Sequence, residues 1–361
     1  VGIGVASCQE KGVFSATEFW MLNREPGFAL TSSPESASVK IDPTGKAVIS
    51  LHAPCWGNSP ETVATMVLAE QLAMDPADIS VAYSDTDHGL PGTGPGGSRY
   101  TVMVTGAITG AASIIKEKLK RVAGHMLEAG PHDLEFRSGK VGVKGAPGLE
   151  VAIAEVAMQA HFFRLSLPDD PALTSGLEAS YTYDHPLATL PKNNSDFGIF
   201  YPIMGHMCHM PVVEVDVKTG QVTFLDYVAV HDCGTMINPM TVDGHVRGGT
   251  AQGIGTALLE HFEYDRNGQL LTTSFQDYLM PRVAELPPAI RIGHLVTPSP
   301  YTEYGVKGAG EGGRMVAPPA VVAAIEDALR PLGVRIDTVP ITPAGLRALI
   351  REAEARKGGG R

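Results

Sequence analysis

A single carboxylate, Glu311, stands in the stretch G-V-K-G-A-G-E-G-G-R-M-V-A-P-P (Gly305–Pro319), among five glycines and ahead of a proline pair. It is the one group there able to take a proton, and glycines let main chain pack against a bulky flat object. The competing reading is a loop leading into a helix, with Glu311 complementing the macrodipole or capping an N–H. A cap requires far fewer glycines.

A second stretch, D-T-D-H-G-L-P-G-T-G-P-G-G-S-R-Y-T (85–101), runs into a long helix. Main-chain N–H groups at such a helix start face an anion, so Gly96, Gly97, Ser98 and Arg99 suit a phosphate-bearing cofactor, or else form a structural turn. Gly92-x-Gly94-x-x-Gly97 matches the dinucleotide fingerprint in its letters alone. Pro95 interrupts it, no tight strand-turn precedes it, and no acidic residue closes a βαβ unit about twenty residues on. In a third stretch, G-G-T-A-Q-G-I-G-T-A-L-L-E (248–260), small residues surround Gln252. They permit close helix packing, and the uncharged amide can also donate to a ligand oxygen. His206-x-Cys208-His209 fits no common zinc spacing and has no second ligand pair, so no metal site is expected there.

The elements that must position these residues are legible in part. Three glycine turns join β-rich runs at 38–51, 212–230 and 261–273, each predicting a hairpin. Helices are predicted over 59–74, with Pro60 at the first position after a Ser59 cap, and over 101–129, 241–260 and 318–329. Residues 166–200 carry breakers such as D-D-P, D-H-P and L-P-K-N-N-S and read as a surface crossing. The expected architecture is α+β, two similar lobes of mixed sheet and helices over 1–165 and 201–361. Each lobe repeats the order hairpin, helix, glycine-rich loop, helix.

Composition narrows the function. Lys plus Arg number 28 against 39 Asp plus Glu, a net charge of −11, which opposes general binding to a nucleic-acid backbone. No window has the uninterrupted apolar length of a membrane span. The first ten residues, V-G-I-G-V-A-S-C-Q-E, lack the basic start of a signal peptide and read as a strand. Four scattered cysteines fit a reducing cytoplasm and are too few for two iron–sulfur clusters.

In combination these stretches resemble the large, molybdopterin-binding subunit of the molybdenum hydroxylases, the family of xanthine oxidase, aldehyde oxidase and carbon monoxide dehydrogenase. G-V-K-G-A-G-E-G-G followed by A-P-P-A-V-V-A-A-I-E-D-A-L is similar to its C-terminal signature. G-T-G-P-G-G-S-R-Y-T resembles its G-x-x-G-S-R-S/T loop, G-G-T-A-Q-G-I-G-T-A-L-L-E its A-Q-G-I-G-x-A-L-x-E helix, and F-Q-D-Y-L-M-P-R its D-Y-x-M-P element. The motifs are collinear and extend over essentially the whole sequence. The family's G-G-G-F-G loop, which belongs to the first half of the subunit, has no counterpart. The resemblance therefore implies a split subunit completed by another polypeptide.

The resemblance also implies roles. Glu311 matches the general base, which takes a proton from the metal-bound hydroxide or water that attacks the substrate carbon. Gly310 and Gly312 let the pterin and metal come close. Gly96, Gly97, Ser98, Arg99 and Thr101 fall on the loop that holds the cofactor, and Gln252 on the helix whose amide contacts it. Asn58, in C-W-G-N-S-P-E-T, stands where the family carries the Gln of M-G-Q-G and is one methylene shorter. The implied cofactor is the molybdenum–pterin cofactor, in many bacterial members its cytosine dinucleotide form, with [2Fe–2S] clusters and FAD on partner iron–sulfur and flavin subunits. The implied reaction inserts a water-derived oxygen at a heteroaromatic or aldehyde carbon. A reductive, dehydroxylating member and a non-catalytic scaffold paralogue are the alternatives.

Overall fold

A computed structural model describes residues 1–14, 33–83, 85–87, 89–173, 176–188 and 201–358. Residue 88 of the glycine-rich stretch and residues 189–200 of the expected crossing lie outside them. In chain order the strands and helices are β1 (Gly2–Ile3), β2 (Ala6–Lys11), β3 (Glu35–Ile41), β4 (Ala47–Leu51), α1 (Pro60–Leu72), β5 (Ile79–Tyr83) and α2 (Tyr100–Met126). There follow β6 (Leu134–Arg137), β7 (Lys140–Val143), β8 (Glu150–Ala152), α3 (Ile153–Phe162) and β9 (Glu178–Tyr183). The chain continues through β10 (Met204–Val215), β11 (Val222–Asp232), α4 (Pro239–Leu258), β12 (Arg291–His294), α5 (Gly312–Ala328) and α6 (Pro343–Gly358). No helix among the described residues is long and apolar enough to cross a membrane.

These elements group into two units with an interleaved chain path. The first holds Val1–Glu10, Met204–Thr297 and Ala309–Arg361; the second holds Lys11–Ile203 and Pro298–Gly308.

In the second unit, the alternation of E-S-A-S-V-K-I and A-V-I-S-L turns Ala37, Val39, Ile41, Ala47, Ile49 and Leu51 inward, all buried. Asp42 Oδ1 accepts the Thr44 N–H (2.8 Å) in the turn between them. After α1, β5 runs parallel to β4, and β9 closes the other side of β3 antiparallel, giving the order β5-β4-β3-β9. Strand β9 lies inside the segment expected to cross the surface. The breakers on either side conceal a six-residue strand that fills the sheet edge. Helix α2 lies against β3, β9 and α1. Strands β6, β7 and β8 form a small antiparallel sheet.

The first unit repeats the plan. Strands β10 and β11 form the long hairpin, β12 runs parallel to β11, and both β1 and β2 pair with β10. Helix α5 packs on β10, β1 and α4. The contact with β1 is close: a Cβ at Gly4 would stand 2.0 Å from the Ala320 carbonyl oxygen, so the opening G-I-G run lies against helix backbone. Val213, Phe224, Tyr227 and Ala229 of the hairpin share a core with Val246, Ile254 and Ala257 of α4 and with Ala317, Val321 and Ile325 of α5. Both units thus run hairpin, helix, parallel strand, glycine-rich loop, helix. This is the expected α+β order with a parallel strand added.

Two expectations fail locally. The 261–273 turn forms, with Gly268 at φ 83, but only one bridge, Tyr264 with Leu270, flanks it. Its residues are mostly exposed and none is buried, so no apolar face draws them into a sheet. Ser59 sits at φ 53 and makes no side-chain cap bond, although Pro60 does open α1.

The core of the first unit contains an unusual polar pair. His209 and His231 are 0% and 2% exposed, and their Nε2 atoms lie 2.8 Å apart, while His209 Nδ1 is 2.9 Å from the Tyr227 hydroxyl. One proton between the rings satisfies both Nε2 nitrogens, which excludes two cationic rings. Burial, reinforced by each ring's histidine neighbour, pushes His209 down to about 3 and His231 down to about 4. Because the unfolded chain protonates these rings below about 6.5 and the folded chain does not, their stabilisation is complete above that pH and is lost as pH falls towards 4. Urea unfolding at pH 7, 6 and 5 is expected to show a loss on the order of 3 kcal/mol attributable to the pair. A His209→Phe/His231→Leu variant should show a visibly shallower pH dependence; an unchanged one would exclude this origin.

Candidate functional site

Glu311 occupies the N-cap position of α5, with φ −113° and ψ −9°, and its side chain makes no capping hydrogen bond. The capping reading of this residue therefore fails. Its main chain is fixed: the Glu311 N–H donates to Glu10 Oε1 at 2.7 Å. Glu10 is 1% exposed at the end of β2, whereas Glu311 and Gly310 are exposed.

Gly312 is buried, and a Cβ there would stand 2.2 Å from Met207 Cε, 3.0 Å from Glu10 Oε2 and 3.3 Å from His231 Cε1. Its lack of a side chain is needed by the chain's own packing, a reason different from the cofactor approach expected of it. The neighbouring glycines act alike. A Cβ at Gly313 would fall 2.8 Å from the Thr250 nitrogen, and one at Gly253 would fall 2.6 Å from Ala317 Cβ. Helix α5 consequently starts at Gly312, six residues ahead of the predicted Pro318, and contains both prolines. Packing on α4 outweighs the local cost of glycine and proline. Gln252 is exposed, off the packed stripe of α4.

His206 and Cys208 are exposed on one face of β10 while Met207 and His209 are buried on the other. The alternation of the strand keeps the His-x-Cys-His run from converging on one point.

In the second unit the glycine-rich loop is organised by a buried ion pair. Arg99 and Glu35 both have side chains 0% exposed and meet at 3.1 Å. Arg99 Nη1 also donates to the Gly94 carbonyl at 2.7 Å and Nη2 to the Ser33 carbonyl, while Glu35 Oε2 accepts the Gly94 N–H at 3.0 Å. Burial lowers the guanidinium's pKa and Glu35 opposes that shift. The Arg99 guanidinium is enclosed by protein and shapes the loop from behind. Gly96 is exposed, and a Cβ there would have no atom within 4 Å. Gly97 has φ 73 and Ser98 φ 55, a left-handed pair that turns the chain into α2. Ser98 and Thr101 are half-buried. Asn58 is half-buried as well, and its Oδ1 accepts the Trp56 N–H at 3.0 Å, leaving its NH₂ as the donor end.

Glu311, Gly310, Gly312 and Gln252 therefore belong to the first unit, and Asn58, Gly96, Gly97, Ser98, Arg99 and Thr101 to the second. Their topological places correspond, since Arg99 is the N-cap of α2 and Glu311 that of α5. Glu10 and Glu35 were missed by motif reading. A signal existed for Glu35, which shares the inward side of E-S-A-S-V-K-I with Ala37, Val39 and Ile41 and so requires a buried partner.

The sequence profile of the family described as molybdopterin cofactor-binding domain matches residues 1–287. The nicotine 6-hydroxylase large subunit of Paenarthrobacter nicotinovorans is 37% identical over 309 residues, 86% of this chain and 36% of that protein. The carbon monoxide dehydrogenase large chain of Hydrogenophaga pseudoflava is 33% identical over 309 residues, 85% of this chain and 36% of that one. Among solved structures, quinoline 2-oxidoreductase from Pseudomonas putida 86 superposes with a TM-score of 0.82 at 40% identity, over 97% of this chain and 42% of its own. The chain spans little more than a third of the length of these curated relatives.

The Glu35–Arg99 pair gives a direct test. Glu35→Ala or Arg99→Ala alone should lower stability by about 3–5 kcal/mol, since each leaves a buried charge uncompensated. In denaturant unfolding the double variant should lose less than the sum by at least ~1 kcal/mol. Strict additivity would show that the two do not act together.

Proposed function

The chain belongs to the family of molybdopterin cofactor-binding domains, and on that premise we propose that it is the cofactor-binding part of a molybdenum hydroxylase large subunit, with Glu311 as general base. Two features fit the cofactor. Gly96 is open to solvent just ahead of α2, so main-chain N–H groups there are accessible to a phosphate. Near it stand the hydroxyls of Ser98 and Thr101 and, in the same unit, the NH₂ of Asn58; in the first unit Gln252 and the exposed Gly310 offer further neutral donors. In each unit, such donors suit pterin and phosphate oxygens without adding charge. Gly97 turns this loop, Arg99 braces it through Glu35, and Gly312 supports Glu311 from within.

When bound, the cofactor supplies the electron-pair acceptor and the place where water is activated. Glu311 accepts the proton released as the water-derived oxygen bonds to the substrate carbon. The observation that carries this reading is an exposed carboxylate whose main chain is anchored and whose side chain does not cap its helix. A heteroaromatic carbon is the favoured substrate position, supported by 37% and 40% identity to proteins named for nicotine and quinoline. An iron–sulfur subunit and a flavin subunit complete the enzyme, and the cofactor is the cytosine dinucleotide form.

In the purified complex, Glu311→Gln is expected to leave molybdenum content unchanged and to lower kcat by about 10²–10⁴. Full turnover in that variant would remove Glu311 as base. A complex without molybdenum would favour the scaffold paralogue.

A further inference from the structure

We infer that Glu10 is the positioning residue for Glu311: its buried carboxylate holds the main chain from which the base projects. The inference rests on the reading of Glu311 as base, but its physical content lies within the first unit. The N–H of an N-cap residue has no acceptor in its own helix and must find one elsewhere. Here the acceptor is Glu10 Oε1, 2.7 Å away. Glu10 sits near the end of β2, which pairs with β10, so the place of that acceptor is set by a sheet and not by the mobile geometry of a loop.

Packing closes the arrangement from the other side. Next to the anchored N–H, Gly312 leaves room for no more than a hydrogen, with Met207 Cε, Glu10 Oε2 and His231 Cε1 all around the position of its absent Cβ. Met207 and His231 are register partners on β10 and β11, both buried. One residue of the loop is thus held by a main-chain hydrogen bond and the next by contact. A charged acceptor makes the stronger bond to an N–H.

The test uses the assembled complex with three substitutions, reading turnover together with hydrogen exchange of the 309–315 segment. Glu10→Ala removes the acceptor; it should keep molybdenum, lower kcat by about 10²-fold with KM changed less than about threefold, and speed exchange of 309–315 by at least about tenfold. Glu10→Gln offers an amide oxygen to the same N–H and should restore slow exchange and most of the turnover. Should Glu10→Ala fail to assemble, Glu10→Leu fills the space without an acceptor and is expected to give the same two changes. Unchanged exchange and turnover in Glu10→Ala, or equal impairment in Glu10→Gln, would overturn the inference. The base assignment fails separately: Glu311→Gln with full turnover sinks that reading, while the exchange of 309–315 still decides whether Glu10 orders the loop.

Discussion

The first turn of α5 meets α4 backbone to backbone, with glycines on both sides and no side chain between them, and the place of Glu311 follows from that contact. A Cβ at Gly249, Gly253 or Gly313 would stand 3.1, 2.6 or 2.8 Å from the nearest atom of the facing helix. Such an approach fixes the helix axis more tightly than interleaved side chains could, because hard backbone atoms leave no rotamers for adjustment. A helix so placed can begin in a sequence of poor intrinsic propensity. Its N-cap is then delivered to the surface at a defined point, although the preceding loop is rich in glycine.

The two units show one topology carrying opposite charges to corresponding N-cap positions. In each, a hairpin, a helix and a parallel strand lead through glycines to an N-cap. In the second unit the N-cap is a cation turned inward and neutralised by Glu35; in the first it is an anion left at the surface. A buried pair of this kind contributes little net stability against an apolar replacement, but it penalises any loop conformation that leaves one partner alone. It therefore specifies the shape of the loop around Gly96. The exposed counterpart has no such enclosure, which is compatible with a proton-transfer role.

Much of this was legible in the residues. The hairpins at 38–51 and 212–230 and the helices beginning near 59, 101 and 241 carry strong local patterns, and the structure follows them. The glycine stretches marked both N-caps. What could not be read was set by contacts distant in sequence. Strand β9 pairs with β3 across more than a hundred residues, and the start of α5 is decided by α4. The intramolecular contacts of Arg99 and Gly312 were hidden for the same reason. A motif shows that a guanidinium or a missing Cβ is required at a position, but not whether protein or ligand stands opposite. Glu10 illustrates the limit: in A-S-C-Q-E-K nothing local distinguishes a buried anchor from a solvated strand end.

The interleaved chain path has a consequence for how such a protein can be divided. Strands β1 and β2 are supplied by the first ten or so residues, yet they complete a sheet whose other members begin at residue 204. The eleven residues Pro298–Gly308 belong to the second unit, while the chain on either side of them belongs to the first. No single cut releases either unit whole. A fragment beginning at β10 would bare one long strand flank, with its main-chain donors and acceptors open to pairing with another copy. Fragment-based engineering of this chain must therefore respect the strand pairing of the interleaved stretch.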